Sequence, residues 1–582
     1  MLPWGRLLLV QLLLTPIVAA STGEDGERGG DAEAVPRAYV CPPRCSCPSE
    51  ETVDCNGADL TTFPRNLSAN IQLLSLQNNR LETIPYEELS HLTKLRTLSL
   101  HHNRLLSQGL PDGAFESLQE LEYLYLANNK LTSAPRLLPD TLRIVDFAAN
   151  QLRDIFTHTF GHKPQLRSVY LHNNQLVSSS LPPGIFRGSD TISVLVLSDN
   201  NLTLIPCGLP PRLTHLHLQN NRISQVPEGS LTELLELREL HLQHNNLTIA
   251  SINNHSFSSL RGLQYLDLSH NNLTEIPEGL PPSLLILHLG RNRIAGVREG
   301  SLSAARGLQY LLLHNNRLTA DGIQPGAFDK LRHLHTLHVF GNRLSRVPPN
   351  LPRRLRSLML LHNRIESLGP SDFVNGYFLS ELNLSYNLLR SARVHRLAFR
   401  KLRRLRSLDL SGNRLTLLPL GLPSGLQDLR AQHNHISRLS PRRLAGLHAL
   451  GQLHLDHNSL TIAGLAPGSW QELSSLKLLD LGYNQLSYVP PDLPENLENL
   501  YLQHNRIVTI TPDSFISTPN LRVLLLRSNR LTVVGTAQAA FSSLHQLQVL
   551  DLTGNPEHIS IRLDSTTWAP GNGTARGHSP PR

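Results

Sequence analysis

One feature limits this chain more than any other: the pattern L-x-x-L-x-L-x-x-N-x-L recurs 21 times, its asparagine running from Asn79 to Asn555. Successive asparagines lie 24, 26 and 21 residues apart, and the cadence repeats without exception. Self-similarity at a period of 20 to 30 residues is the mark of an array in which each unit buries its apolar side only against its neighbours. A chain of 582 residues is too long for one ordinary core, and the array resolves that difficulty.

Each copy reads as one turn of a coil. In the copy Leu284, Leu287, Leu289 and Asn292, the leucines point inward from a short strand, two residues apart at its end. The asparagine closes the strand, where its amide can pair backbone groups of the bend. The 21-residue copies carry Pro-x-x-Leu-Pro on the return path, as at Pro277, Leu280 and Pro281; proline favours an extended return. The longer copies carry Phe at the same phase, as at Phe115, Phe186, Phe257, Phe328, Phe399 and Phe541, predicted to fill a wider turn on short helical pieces. The expected fold is an α/β leucine-rich-repeat solenoid. Its concave face is a curved parallel β-sheet; its convex face is made of short helical, 3-10 and extended segments. At about 4.8 Å between strands, the 21 strands trace an arc of roughly 100 Å.

Outside the array the chain divides into short regions. Residues 1–20, MLPWGRLLLVQLLLTPIVAA, read as a signal peptide with Arg6 before an apolar stretch and small residues at the cleavage site. Residues 21–40 are polar and acidic, the composition of a disordered tail. Residues 41–70 form a cysteine-rich N-terminal cap, 71–555 the solenoid, and 556–582 a polar C-terminal tail without cysteine. No run reaches the length of a membrane span, so secretion is the expectation.

The cap holds Cys41, Cys45, Cys47 and Cys55 in the spacing C-x3-C-x-C-x7-C. In a secreted chain this reads as a two-disulfide cap over the first coil; a zinc knot is disfavoured by the compartment and by Pro42, Pro43 and Pro48. Cys207, the fifth cysteine, lies where equivalent residues are mixed and partly charged, so it is not expected in the deep core, and a reactive free thiol or an intermolecular disulfide is expected.

A cysteine cluster of this kind followed by this array resembles the small leucine-rich proteoglycan family, and the repeat number and cadence resemble its podocan branch. The resemblance spans Cys41 to Asn555. It implies pairing of Cys41 with Cys47 and of Cys45 with Cys55, an extracellular-matrix location, and binding to collagen fibrils; some members restrain growth-factor signalling. The Ser-Gly pairs Ser411-Gly412 and Ser424-Gly425 lie inside repeats, so the flexible acidic stretch offers no attachment point for a glycosaminoglycan. Acceptors for asparagine-linked glycans occur at Asn66, Asn201, Asn246, Asn254, Asn272, Asn383 and Asn572. Asn201, Asn246 and Asn272 follow a ladder asparagine at the edge of the sheet, whereas Asn383 stands on a strand facing the concavity.

The residues between the leucines make the readable surface. Of the 28 histidines, 16 fall at the third, fifth, seventh or eighth motif positions, joined by Tyr123, Tyr125, Tyr170, Tyr265, Tyr310 and Tyr501. Flat rings with little fixed charge suit an extended protein partner, and Tyr265, His288 and Tyr310 are the expected partner-binding residues. Asp267 and His241 share a column on adjacent strands, but no nucleophile or phosphate cradle accompanies them; no enzymatic activity and no cofactor are expected. His215, His217 and His241 lack a closed ligand set for zinc, so no metal site is assigned. The densest basic run, Arg390 to Arg406, maps to the convex return and suits a sulfated glycosaminoglycan. Only six of the 54 basic side chains are lysines. The net charge of +8 alone would admit nucleic acid, which the signal peptide argues against. The leading reading is thus a secreted, non-catalytic matrix protein binding fibrillar collagen; the alternative is a soluble binder of a growth factor or receptor ectodomain.

Overall fold

The computed structural model describes residues 41–556. The expected signal peptide, the acidic segment 21–40, the acceptor Asn572 and the tail beyond residue 556 lie outside the described residues.

One parallel sheet runs through the array, preceded by an antiparallel hairpin of Ser46–Ser49 and Thr52–Asp54. The second hairpin strand pairs in parallel with Leu73–Ser75, and each later strand pairs with the next in chain order to Val549–Asp551. Register is invariant because the apolar residue at the fourth motif position, leucine in most strands, meets its counterpart, as Leu266 meets Leu287 and Leu287 meets Leu311. A slip of one residue would turn every leucine out of the core. Leu266, Leu287 and Leu311 are fully buried. This is the leucine-rich solenoid that the repeat predicts.

The asparagine ladder repeats its bonds in every coil. Asn292 donates from Nδ2 to the carbonyls of Leu268 at 2.9 Å and Leu289 at 3.1 Å, and its Oδ1 accepts from Leu273 N at 3.0 Å. Each asparagine therefore satisfies backbone groups of its own bend and of the preceding coil, groups too buried to find water. The cap joins the same ladder: Asn79 donates to Cys55 O at 2.8 Å and accepts from Leu60 N at 2.8 Å. Disulfides link Cys41 to Cys47 and Cys45 to Cys55. Cys207 is exposed and outside any disulfide.

The convex face contains little regular helix. Among the described residues it has three short α-helices, Tyr86–Ser90, Thr157–Phe160 and Pro441–Leu444, and several 3-10 turns. Five of the six sequence-predicted phenylalanines lie in hydrogen-bonded turns rather than helical pieces; Phe541 ends the 3-10 segment Gln538–Phe541. All six are buried, and so are Phe160, Phe373 and Phe515 of the 24-residue copies, which the sequence pattern did not single out. Phe373 and Phe399 stack at 6.2 Å. An aromatic filler thus also serves some of the 24-residue turns, while others bury a leucine instead, such as Leu89, Leu231, Leu302 and Leu444. Among the described residues no helix is long and apolar enough to cross a membrane.

Candidate binding surface

The strand supplies three consecutive residues, of which the middle one is core and the flanking two face the concavity. Tyr265, Leu266 and Asp267 show this directly, with Leu266 wholly buried between two face residues. In-register pairing then stacks equivalent face residues into columns. His217, His241, Asp267 and His288 form one column, each paired to the next.

Rings in these columns touch. His217 and His241 stack at 4.3 Å, and His241 meets Tyr265 at 4.9 Å. His288 meets His314 at 5.2 Å, and His314 stacks on Phe340 at 4.6 Å. Phe340 was missed from sequence, although it occupies the seventh motif position beside the histidines. Burial and the neighbouring His241 push His217 down to about 4. Burial and nearby histidines push His314 down to about 4, and burial with His288 does the same to His338. These rings are therefore neutral at physiological pH, as the low fixed charge of the surface requires.

Asp267, like Glu239, is a charged exception, and its partners differ from the column neighbour that sequence suggested. Its Oδ2 lies 3.1 Å from His288 Nδ1 and accepts from Tyr265 Oη at 3.3 Å. His241 instead turns its Nε2 toward Glu239, at 3.4 Å. Burial opposes charge on Asp267, but hydrogen bonds from His288 and Ser269 outweigh it and hold the carboxyl below its usual range. The amide of Ser269 donates to this carboxylate at 2.8 Å, so acid, imidazole and hydroxyl are not in the order a nucleophile relay needs. The solenoid is a non-catalytic binding fold.

Of the three expected contact residues, Tyr265 and His288 converge on Asp267. Tyr310 stands on the next strand, where it pairs with Ile286. All three are half-buried. Several polar atoms on the face find no hydrogen-bond partner in the protein, among them His172 Nδ1, Gln219 Oε1, Gln243 Oε1, His288 Nε2 and His314 Nδ1. All of them are buried, so they are polar groups left unsatisfied within the face rather than donors or acceptors open to a docked chain.

A second set of rings lies along the sheet edge, at the eighth motif position. Residues there hold positive φ, as at His433 (53°), His457 (52°), Tyr483 (52°) and His504 (53°). Asn and His are enriched in this conformation. Repeating it in each coil aims the side chains alike, so His433, His457, Tyr483 and His504 stack continuously at 4.1, 4.0 and 4.1 Å. Tyr386 and Tyr483 were missed from sequence; the signal was their place just before a ladder asparagine.

The histidines His215, His217 and His241 do not gather as a ligand set. Among the described residues the groups whose donor atoms lie within 4.8 Å of one another are His433, Asp456 and His457, and His454, Asp456 and Asp480. On the basic run, Arg393 pairs with Glu366, Lys401 lies over Tyr377 at 5.5 Å and Arg404 over Phe378 at 4.8 Å. Part of that charge is thus already engaged. Of the glycan acceptors, Asn66, Asn246 and Asn254 are exposed and Asn201 and Asn272 half-buried. Asn383 donates to Asp409 at 3.3 Å and accepts from Ser385 N at 2.9 Å. Ser411 is buried at 3% exposure, which removes one Ser-Gly pair as an attachment point.

Leucine-rich-repeat family models match residues 211–277, 282–344, 353–415 and 495–556. The chain is 52% identical to mouse (Mus musculus) podocan-like protein 1 over 96% of its own length and 100% of that protein. It is also 52% identical to mouse podocan, over 90% of this chain and 86% of that one. Among solved structures, a plant peptide hormone receptor in complex with its hormone matches with a TM-score of 0.54 and 25% identity, covering 84% of this chain and 83% of the receptor.

Proposed function

The chain belongs to the podocan branch of the small leucine-rich repeat proteins, and from that premise we propose that it is a secreted, extracellular-matrix protein that binds fibrillar collagen on the concave face of its middle strands. The observation that carries this reading is the band of touching rings from His217 to Phe340 on the concave face. A collagen triple helix is long and narrow and presents carbonyls and side chains at regular intervals. Rings offer it apolar contact, and the exposed edges of the half-buried Tyr265, His288 and Tyr310 offer short hydrogen bonds. Tyr265, His288 and Tyr310 are assigned as contact residues. Glycans at Asn66, Asn201, Asn246, Asn254 and Asn272 would leave the face open. One at Asn383 would have to displace its bond to Asp409 and would bound the site on its C-terminal side.

A second reading is a soluble binder of a growth factor or receptor ectodomain. It is favoured by the fold-level likeness to a receptor solved with its peptide hormone. A sulfated glycosaminoglycan on Arg400, Arg403 and Arg404 is compatible with either.

The test is binding to immobilised fibrillar collagen by the wild type, by the Tyr265→Ala/His288→Ala/Tyr310→Ala variant and by the Arg400→Ala/Arg403→Ala/Arg404→Ala variant, each checked for folding. Truncating aromatic anchors costs more than about 1 kcal/mol each at well-packed positions, so the ring variant should lose at least about tenfold in affinity. Binding by the wild type should survive moderate salt, unlike a contact made by arginines. A folded ring variant that binds like wild type would remove the assignment of this patch. Absence of collagen affinity in the wild type would move the growth-factor reading to first place.

A further inference from the structure

We propose that the concave face carries a second, separate site: a divalent transition-metal site of the zinc class, built from His454, Asp456 and Asp480. His454 and Asp480 are direct partners on neighbouring strands, Gln452–His454 and Leu478–Asp480. Asp456 lies two residues beyond His454 in the chain, at the next outward position. The three donor atoms lie within 4.8 Å of one another and all three residues are half-buried. Metal–ligand distances near 2.0–2.2 Å need only a small contraction of such a set.

The surroundings point the same way. His454 Nε2 is enclosed and has no hydrogen-bond partner in the protein. Asp480 uses only Oδ1, which accepts from Gly482 N at 2.9 Å. Among the described residues no lysine or arginine forms a salt bridge with Asp456 or Asp480, and Arg430, on the adjoining strand, pairs with Asp428 at 3.0 Å. An imidazole with two carboxylates selects zinc or a neighbouring transition metal over calcium or magnesium, which prefer all-oxygen sets. Three protein ligands leave a coordination position open to the concavity, where a partner's carboxylate or imidazole could enter.

Asp456 is also shared with the edge set of His433 and His457. Those two rings are exposed and already stacked on each other at 4.1 Å, and His457 Nδ1 lies 2.9 Å from Asp456 Oδ2. They hold Asp456 from the edge side, as positioning residues for the face site.

The experiment is a titration of the metal-free, full-length protein with zinc chloride in competition with a chromogenic chelator, calcium chloride being the control. The wild type is expected to take one zinc ion with micromolar or tighter affinity and to show no competition by calcium. Asp456→Asn should weaken that affinity at least tenfold, as should His454→Gln/Asp480→Asn. His215→Ala/His217→Ala should bind like wild type. Cobalt(II) should give the visible spectrum of a low-coordinate site in the wild type and lose it in Asp456→Asn, a readout that folding checks by thermal unfolding make interpretable. Zinc uptake that survives in folded Asp456→Asn, or that spreads over many weak sites, overturns the proposal. Loss in His433→Ala/His457→Ala with retention in His454→Gln/Asp480→Asn would overturn the ligand assignment. Collagen binding is measured without zinc, so failure here leaves the preceding reading standing.

Discussion

At the fifth motif position the strands from residue 215 to 338 present His217, His241, Asp267, His288, Leu312 and His338. The strands from 407 to 501 present Asp409, Arg430, His454, Asp480 and Tyr501 at the same place. The frame beneath is the same: Leu287 and Leu479 are both fully buried, and Asn292 and Asn484 make the same set of bonds. What changes is how the surface handles charge. In the middle, Glu239 and Asp267 are met by histidines, and the remaining rings stay neutral. In the C-terminal strands, Asp456 and Asp480 stand close to histidine donors, with no lysine or arginine salt bridge among the described residues. The lesson is that a repeat frame separates stability from recognition: the leucines and asparagines fix the coil, and the positions between them vary without cost to it.

The sharpest challenge to a uniform frame is to cut one ladder rung in each region. Asn292→Ala and Asn484→Ala each leave several buried backbone groups unpaired, a loss of about 2–4 kcal/mol. Hydrogen exchange should show the same loss of protection over the adjoining coils in both variants. A difference of more than about 1 kcal/mol between them would mean that the two regions do not share one frame.

A division of labour predicts that changes on one surface spare the other. The Asp456→Asn/Asp480→Asn variant should keep wild-type collagen affinity within about twofold, while the Tyr265/His288/Tyr310 alanine variant loses at least about tenfold, roughly 1.4 kcal/mol. Equal losses in surface-binding measurements would erase the functional distinction.

Acid should act first on the middle strands. His217, His314 and His338 sit near 4 when folded, against about 6.5 in an unfolded chain. Between these values the unfolded chain holds more protons, so stability is full above about 6.5 and falls as pH drops toward 4. Thermal unfolding should lose several degrees between pH 7 and pH 5. The His217→Gln/His314→Gln/His338→Gln variant should lose less, since its middle strands no longer resist protonation. An identical pH dependence in that variant would mean that these rings are not the acid-sensitive groups.

The smallest effect belongs to the edge stack. Tyr483 lies between His457 and His504, and aromatic pairs contribute about 0.5–1.5 kcal/mol beyond burial. Tyr483→Ala should loosen exchange locally around residues 457–504 by about 1 kcal/mol and leave the strands at 215–338 unchanged. A change spreading to the middle strands would show coupling that the stack alone does not provide.

The sequence by itself determined the coil. Leucines at fixed spacing admit one register, because any other exposes the core, and the recurring asparagine marks each bend with the one side chain that can both donate and accept there. The neutral, ring-rich middle of the concave face was also legible, since strand alternation assigns every residue between two leucines to that face. Tertiary structure alone decided the pairings across strands. Asp267 has a histidine on either side in its column, and His288 is the one it bonds because His241 is turned to Glu239 and stacked on His217. The burial of Phe160, Phe373 and Phe515 in their turns, the continuous edge stack and the meeting of His454, Asp456 and Asp480 are of the same kind. Each depends on rotamers and on neighbours more than twenty residues away, and a one-dimensional pattern fixes which face a side chain leaves from but not where its tip comes to rest.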